Sequence, residues 1–206
     1  TSEVVEISWG QLIAKTDAIQ QQLKTLGVVK GDVVVCYGIN SPETVAAFLA
    51  TSALGAVWSS CSPDFGADAV CERFAQLSPK VLFAHQQYAY GGKAFDISAK
   101  IKTISATIGS IQNTLLLDDH LSFDDAPVAI NQMYFESVSF SDPIWVLFSS
   151  GTTGKPKAIV HGTGHMLLEH LKALALHQDV RVGERYFWYS TTGWMMWNYA
   201  LGSLLC

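Results

Sequence analysis

Hydrophobic residues near the start of the chain recur at the spacing of a helix. Four of them share one helical face, namely Leu12, Ile19, Leu23 and Leu26. Ser8 followed three residues later by Gln11 is a capping-box pattern, and Gly27 is a typical residue just beyond a helix end. The pattern therefore predicts a first amphipathic helix over roughly residues 9–26.

Short apolar runs then alternate with further helical patterns. The runs at 33–37, 56–58 and 80–84 are rich in β-branched and aromatic residues, as buried strands are. Between the first two runs, Ser41 and Pro42 favour the start of a helix that ends at Gly55. Between the second and third runs, a further helical pattern covers 67–77. This alternation predicts an α/β fold with parallel strands whose sheet is covered by helices.

The remaining pattern is less regular. It predicts a helix at 94–101, a strand at 114–117, a helix at 163–177, a strand at 186–189 and a buried apolar helix at 193–206. His170 and His177 fall on one face of the helix at 163–177, where a solvated face is favoured over a metal site. Asp64 is predicted to cap the helix at 67–77.

Composition and charge narrow the classes of function. A chain of 206 residues that is 49% hydrophobic can bury a sizeable core. Its net charge is −5, and its 13 basic residues are scattered singly, which argues against a nucleic-acid partner. The adjacent Asp118, Asp119 and His120 are read as a solvated turn, because neighbouring residues of an extended chain do not converge on one ion. No metal ligand is assigned.

The cysteines and the chain ends bear on location. The four cysteines show no C-x-x-C spacing and most lie in apolar stretches, which indicates reduced thiols in a cytoplasmic compartment. No run of about 18 apolar residues predicts a membrane span, and no leader pattern is present. The chain opens on Thr1 and closes on Cys206 within an apolar run, so we expect a piece of a longer polypeptide.

A polar loop between two apolar runs is the strongest candidate site. Its anion-binding candidates are Ser149, Ser150, Gly151, Thr152, Thr153, Gly154, Lys155 and Lys157. Glycines let successive backbone N–H groups point at one anion, while hydroxyls add donors and lysines add charge. Pro156 stands where the common phosphate loop needs a hydroxyl residue, so that motif is excluded. A solvated hairpin is the alternative that spacing alone leaves open.

The longer string SSGTTGKPKAIVH resembles the phosphate-loop signature of the adenylate-forming acyl-CoA synthetases. One departure is Ala158, where most of that family has glycine. The resemblance implies ATP, magnesium and CoA as cofactors: a carboxylate attacks the α-phosphate, pyrophosphate leaves, and CoA displaces AMP. It gives Thr152 and Lys157 catalytic roles. It also implies that residues 1–206 are part of the family's large amino-terminal α/β domain, without the small carboxy-terminal domain.

Two further stretches resemble this family. Residues 55–66 are similar to a strand-to-helix turn of its acetoacetate-activating branch. Residues 90–93 are similar to a segment that meets the CoA phosphates, which gives Gly92 and Lys93 that role, although Tyr90 replaces an arginine of the family. An ordinary turn is the alternative for residues 90–93.

The aromatic stretch at 193–198 completes the resemblance. Its expected substrate-binding residues are Gly193, Trp194, Met195 and Met196. From composition alone such a stretch is usually core. The resemblance instead makes Trp194 a wall of the acyl pocket and implies a ligase that joins a small carboxylate, acetoacetate, to CoA. Acetate or propionate, and a non-catalytic remnant that binds a nucleotide or partner, are the alternatives. Because the family's adenine and ribose motifs and its lysine of the small domain lie elsewhere, no turnover is expected from these 206 residues alone.

Overall fold

The structure is a computed structural model that describes residues 6–119, 123, 133–149 and 154–206. The helices are α1 (Trp9–Thr25), α2 (Pro42–Ala53), α3 (Ala67–Phe74), α4 (Ser98–Thr107), α5 (Thr163–Leu171) and α6 (Met195–Leu201). The strands are β1 (Val33–Tyr37), β2 (Val57–Cys61), β3 (Val81–Ala84), β4 (Gln87–Tyr90), β5 (Lys93–Asp96), β6 (Asn113–Leu116), β7 (Pro143–Phe148) and β8 (Ala158–Gly162). Short 3₁₀ turns follow α3 and α6, and a π-helical turn follows α5.

A six-stranded sheet with the order β6-β3-β1-β2-β7-β8 organises the described chain. Its first five strands are parallel, and only the edge strand β8 runs antiparallel, against β7. Strands β4 and β5 form a separate hairpin. The predicted parallel sheet covered by helices is thereby confirmed, and the predicted strands at 33–37, 80–84 and 114–117 are present within one residue of their expected bounds.

Both faces of the sheet are buried. Along β1, Val34 and Cys36 join one hydrophobic cluster with α1 and α2, while Val35 and Tyr37 join a second cluster with α3 and α4. Alternate residues of a strand point to opposite faces, so a continuous apolar run is what a doubly covered strand requires. The first cluster is the more aromatic, because Phe48 and three tryptophans meet there.

Two helix starts follow their sequence signals closely. The Ser8 hydroxyl accepts from the Gln11 N–H, and the Ser8 N–H donates to the Gln11 side chain, which completes the predicted capping box. Ser41 caps α2 by accepting from the Thr44 N–H, with Pro42 in the first turn. Asp64 does not cap α3, contrary to expectation: the capping residue is Gly66, and it makes no side-chain bond.

Three other predictions were wrong. Residues 94–96 lie in β5 rather than in a helix, which begins only at Ser98. Residues 186–189 form no strand and pair with none of the strands of the described residues. His170 is buried rather than solvated: its ring stacks on Trp145 at 5.5 Å between centroids and contacts Gly202.

Candidate active site at the carboxyl edge of the sheet

The carboxyl ends of the parallel strands lie at one edge of the sheet, where open α/β proteins bind their ligands. Gly38 follows β1, Ser62 follows β2, His85 follows β3 and Ser149 follows β7. Strands β2 and β7 are neighbours, with Trp58 opposite Trp145. The end of the phosphate-loop strand therefore lies next to the end of β2.

The two ends of the loop at 149–157 are hydrogen-bonded to each other at this edge. The Ser149 N–H donates to the Lys157 carbonyl at 3.1 Å, and the Lys157 N–H donates to the Ser149 hydroxyl at 3.2 Å. Pro156 is buried at the base of the loop, and its carbonyl accepts from the Gln76 amide at 3.0 Å. The predicted strands on both sides of the loop are confirmed as β7 and β8, and the Gln76–Pro156 bond ties the base of the loop to the turn that follows α3.

Positive charge at the loop is free to meet an anion. The Lys155 and Lys157 side chains are exposed, and neither forms an ion pair with a carboxylate in the described part of the chain. An unpaired ammonium is a mobile, strongly hydrated cation that suits a phosphate. The expected contributions of Ser150, Gly151, Thr152 and Thr153, including the catalytic role of Thr152, lie outside the described residues.

The stretch at 192–197 is anchored across the ends of β1 and β2. The Ser60 hydroxyl donates to the Thr192 carbonyl at 2.6 Å, and the Thr192 hydroxyl donates to the Gly38 carbonyl at 2.7 Å. The Trp197 indole N–H donates to the Asn40 side chain at 2.9 Å. Because Thr192 and Trp197 are buried, these bonds are shielded from water and fix the neighbouring residues in place.

Gly193 contacts the end of β2 closely. A Cβ atom added at Gly193 would lie 3.3 Å from the backbone nitrogen of Ser62, so a larger residue would push against main chain rather than a flexible side chain. The next two residues, Trp194 and Met195, are 66% and 54% exposed, while Met196 is partly buried. Exposed aromatic and thioether groups beside a fixed backbone can form an apolar wall for a small ligand.

The predicted CoA segment forms a tight hairpin. Gly91 and Gly92 adopt positive φ angles of 57° and 75° and connect β4 to β5, with Tyr90 opposite Lys93. Two residues with positive φ are what a two-residue hairpin turn requires. Gly92 and Lys93 are exposed, and no hydrogen bond of the described residues links them to the phosphate loop or to residues 193–196. The structure thus brings the loop and the aromatic stretch to neighbouring strands, and it shows no hydrogen bond from this hairpin to the described residues of either one.

Buried ionisable groups at this edge favour their neutral forms. Burial lowers the pKa of His85, whose Nε2 lies 3.2 Å from the Ser41 hydroxyl. Burial raises the pKa of the Cys61 thiol to about 12 and that of the Cys36 thiol further. Neither thiol is ionised near neutral pH, so neither is a candidate nucleophile.

Sequence reasoning missed the residues that hold the aromatic stretch, namely Gly38, Asn40, Ser60 and Thr192. One signal was available at Ser59 and Ser60, two hydroxyl residues inside a fully buried strand. Buried hydroxyls need partners, which indicates contacts beyond the strand itself. The identity of those partners could not be inferred, since Thr192 is 132 residues away from Ser60 in sequence.

Comparison with known proteins assigns the chain to a class. A family model described as AMP-binding enzyme matches residues 1–206. The chain therefore belongs to the family of AMP-binding enzymes.

The similar proteins are more specific than the family. The chain is 39% identical to an acetoacetyl-coenzyme A synthetase of Rhizobium meliloti (strain 1021) over 97% of its length and 34% of the relative. It is 36% identical to an acetoacetyl-CoA synthetase of Mus musculus, over 98% of the chain and 33% of the relative. A solved acetoacetyl-CoA synthetase from Streptomyces lividans superposes with a TM-score of 0.90 at 40% identity, covering 98% of this chain and 33% of that one. The chain spans about a third of the length of these relatives.

The structure also bears on membranes. None of the helices found within the described ranges combines the length and apolar character that a membrane crossing demands.

Proposed function

We propose that the intact protein joins acetoacetate to CoA through an acetoacetyl-adenylate, giving acetoacetyl-CoA, AMP and pyrophosphate. The observation that carries the proposal is the placement of two chemically different stretches on neighbouring strand ends: the charged loop after β7 and the aromatic stretch packed on the end of β2. Adenylate formation needs this juxtaposition, because the carboxylate must reach the α-phosphate in line. Similarity to acetoacetyl-CoA synthetases supports the choice of substrate.

The loop would stabilise charge rather than supply a nucleophile. The substrate carboxylate itself attacks, so the protein has to position it and offset charge on the α-phosphate and the departing pyrophosphate. Lys155 and Lys157 are the described cations at the loop, and Thr152 and its neighbours would add hydroxyl and backbone donors. Magnesium would be held mainly by the triphosphate, whose oxygens are the hard ligands that this ion prefers. The described residues contain no cluster of three His, Cys, Asp or Glu side chains that could hold a metal ion.

The aromatic stretch would select the acid. Trp194 and Met195 would provide an apolar wall for the short carbon chain of acetoacetate, with Gly193 and Met196 setting the position of that wall. Acetate and propionate are the competing acids, because a pocket of this kind discriminates weakly between chains that differ by one or two carbons. Gly92 and Lys93 would meet a phosphate of CoA from the exposed hairpin.

A reducing compartment such as the cytoplasm suits this protein. All four cysteines are free, and Cys36 and Cys61 are fully buried. Within the large α/β domain of the family, residues 1–206 would supply the phosphate loop and part of the acyl pocket. The alternative function is a non-catalytic domain that binds a nucleotide or a partner, and its test follows in the Discussion.

Pyrophosphate exchange into ATP by the intact protein tests the reaction. We expect exchange that depends on acetoacetate, and a Lys157→Ala variant that is slower by roughly ten- to a thousandfold, the range for loss of a transition-state donor. Lys102→Ala, which removes an exposed lysine from α4, is the matched control and should keep the full rate. Exchange with acetate but not acetoacetate would overturn the substrate, and full exchange in Lys157→Ala would remove that lysine from the mechanism.

A further inference from the structure

The two lysines of the phosphate loop differ in how their backbones are held. Lys157 donates its N–H to the Ser149 hydroxyl at 3.2 Å and accepts at its carbonyl from the Ser149 N–H at 3.1 Å. The carbonyl of the preceding residue, Pro156, accepts from the Gln76 side chain at 3.0 Å. Lys155, by contrast, forms no hydrogen bond with any residue that the structure describes. Lys157 is therefore an exposed side chain on a fixed backbone.

Gln76 reaches the loop from another element. It lies in the 3₁₀ turn at 75–77 that follows α3, 80 positions before Pro156 in the sequence. The same amide nitrogen also donates to the Glu72 carbonyl within α3 at 2.8 Å, so both of its hydrogens are used. The bond to its own helix restricts the side chain, which orients the second hydrogen toward the loop before any ligand binds.

The peptide group between Pro156 and Lys157 is held at both of its polar atoms. Gln76 binds the carbonyl, and Ser149 binds the N–H. The proline ring also restricts the backbone at residue 156, which is buried. What freedom remains to Lys157 lies mainly in its side chain. A cation placed in this way needs less reorganisation when charge develops beside it during a reaction.

We propose that Gln76 is a positioning residue for Lys157. It fixes the backbone from which this lysine reaches the phosphates, and it does not meet the phosphates itself, because both of its amide hydrogens are bound to carbonyls. Lys155 contributes charge without a fixed geometry. The effect of Gln76 on reaction rate rests on the proposed adenylation, whereas its effect on the backbone of the loop does not.

Acetoacetate-dependent exchange of pyrophosphate into ATP by the intact protein tests the effect on rate. Gln76→Met keeps the length of the side chain but removes its donor. We expect pyrophosphate exchange to be slower by about three- to tenfold, the factor that one ordinary hydrogen bond supplies. The KM for acetoacetate should not change, because that acid meets the aromatic stretch. Gln112→Met, at an exposed position, is the matched control and should keep the full rate. The full rate in Gln76→Met would overturn the proposal.

Combination with the loop lysines separates positioning of Lys157 from a general disturbance of the fold. In a Lys157→Ala background, we expect Gln76→Met to slow pyrophosphate exchange by less than about twofold, because the group that Gln76 positions is already absent. In a Lys155→Ala background, Gln76→Met should keep its full effect. Equal effects in the two backgrounds would show that Gln76 does not act through Lys157, which would contradict the proposal.

Hydrogen–deuterium exchange of the intact protein without substrates tests the backbone directly. We expect the peptide that contains the Lys157 amide to take up deuterium at least about threefold faster in Gln76→Met than in the parent, because the loop opens more readily. Peptides from β1 should not change. Equal uptake at Lys157 would overturn the proposal. A parent without acetoacetate-dependent pyrophosphate exchange would overturn the proposed function instead, and deuterium uptake would still decide whether Gln76 holds the loop.

Discussion

Single hydrogen bonds decide the shape of the candidate acyl pocket. Thr192 lies immediately before the expected pocket residues, and its hydroxyl and carbonyl are tied to the ends of β1 and β2 through Gly38 and Ser60. Trp194, two residues on, is exposed, and its indole N–H makes no hydrogen bond to any residue that the structure describes. The position of this wall therefore depends on Thr192 more than on contacts of the wall itself.

Thr192→Val tests this dependence. Valine keeps the shape of threonine but leaves the buried Gly38 carbonyl without its donor, so we expect a loss of roughly 1–3 kcal/mol in the free energy of unfolding. Urea denaturation of the variant and the parent measures the difference. Thr103→Val is the matched control, because that hydroxyl donates on the exposed face of α4 and water can replace it, giving a change below about 0.5 kcal/mol. Equal losses in the two variants would contradict the special role of Thr192.

At the scale of elements, local chemistry predicted helix starts well. Ser8 with Gln11, and Ser41 with Pro42, act within a few residues of one another, so their effect does not depend on the rest of the fold. The strand at 33–37 was equally predictable from the sequence, because a β-branched run buried on both faces is characteristic of a central parallel strand.

Elements that depend on distant partners were mispredicted. Ala94 begins a segment with reasonable helical character, but Gly91 and Gly92 close a hairpin, and the Tyr88 and Phe95 rings stack across it at 5.0 Å. Aromatic residues at 186–189 have strand propensity but find no partner strand among the described residues. Propensity reports a preference, and pairing across the fold decides whether it is realised.

The candidate site shows the same division. The loop at 149–157 was recognisable because its contributing residues are contiguous, and its strand flanks follow directly from the apolar runs on each side. The hydrogen bond from Ser60 to Thr192 joins a residue of β2 to a residue 132 positions further along the chain, outside any strand. The spacing of residues within a short segment does not reveal the order of strands in a sheet. The contact between Ser60 and Thr192 could therefore be found only from the structure.

The folding stability of the protein is expected to depend on pH through His85, which lies where the end of β3 meets the start of α2. His85 is buried, with Nε2 beside the Ser41 cap, and burial lowers its pKa despite the opposing influence of Asp118 and Glu43. In the unfolded chain its pKa is near 6.5. As the pH falls below that value, the unfolded state therefore binds the proton first, and stability decreases until the lower folded pKa is passed. The slope for one proton cannot exceed about 1.4 kcal/mol per pH unit.

Denaturation at pH 7.5 and pH 5.5 checks this dependence. We expect His85→Gln to lose less stability than the parent over that interval, because glutamine does not titrate. His170, whose pKa burial also lowers, contributes equally to both proteins. His177→Gln, at an exposed position, is the matched control for replacing a histidine by glutamine. A His85→Gln variant with the full pH dependence of the parent would show that another group is responsible.

At the scale of the whole molecule, the two edges of the sheet differ in character. Edge strand β6 has partly buried residues and packs beside α4, whereas edge strand β8 exposes Ile159 and Val160 at 47% and 60%. The apolar surface continues onto Leu167 and Leu168 of α5. The charged loop lies at the start of β8 and therefore joins this apolar side to the carboxyl edge.

The phosphate loop by itself should recognise phosphates and little else. Its described cations, Lys155 and Lys157, are exposed and screened by salt, and the described contacts include no adenine pocket beside them. We therefore expect the 206-residue chain, once circular dichroism shows that it is folded, to bind ATP and inorganic tripolyphosphate with similar, weak affinity in calorimetry. Affinity for both should fall together as salt is raised, and Lys155→Ala with Lys157→Ala should weaken both.

The comparison of the two ligands separates catalysis from simple nucleotide binding. A ligase that assembles its nucleotide site from several parts of a longer chain gains adenine affinity only when those parts are present, so ATP has no advantage over tripolyphosphate here. A domain whose only function is to bind a nucleotide would bind the adenine base with residues of these 206. ATP binding that is at least about tenfold tighter than tripolyphosphate binding, a difference of about 1.4 kcal/mol, would favour that non-catalytic function over the proposed ligase.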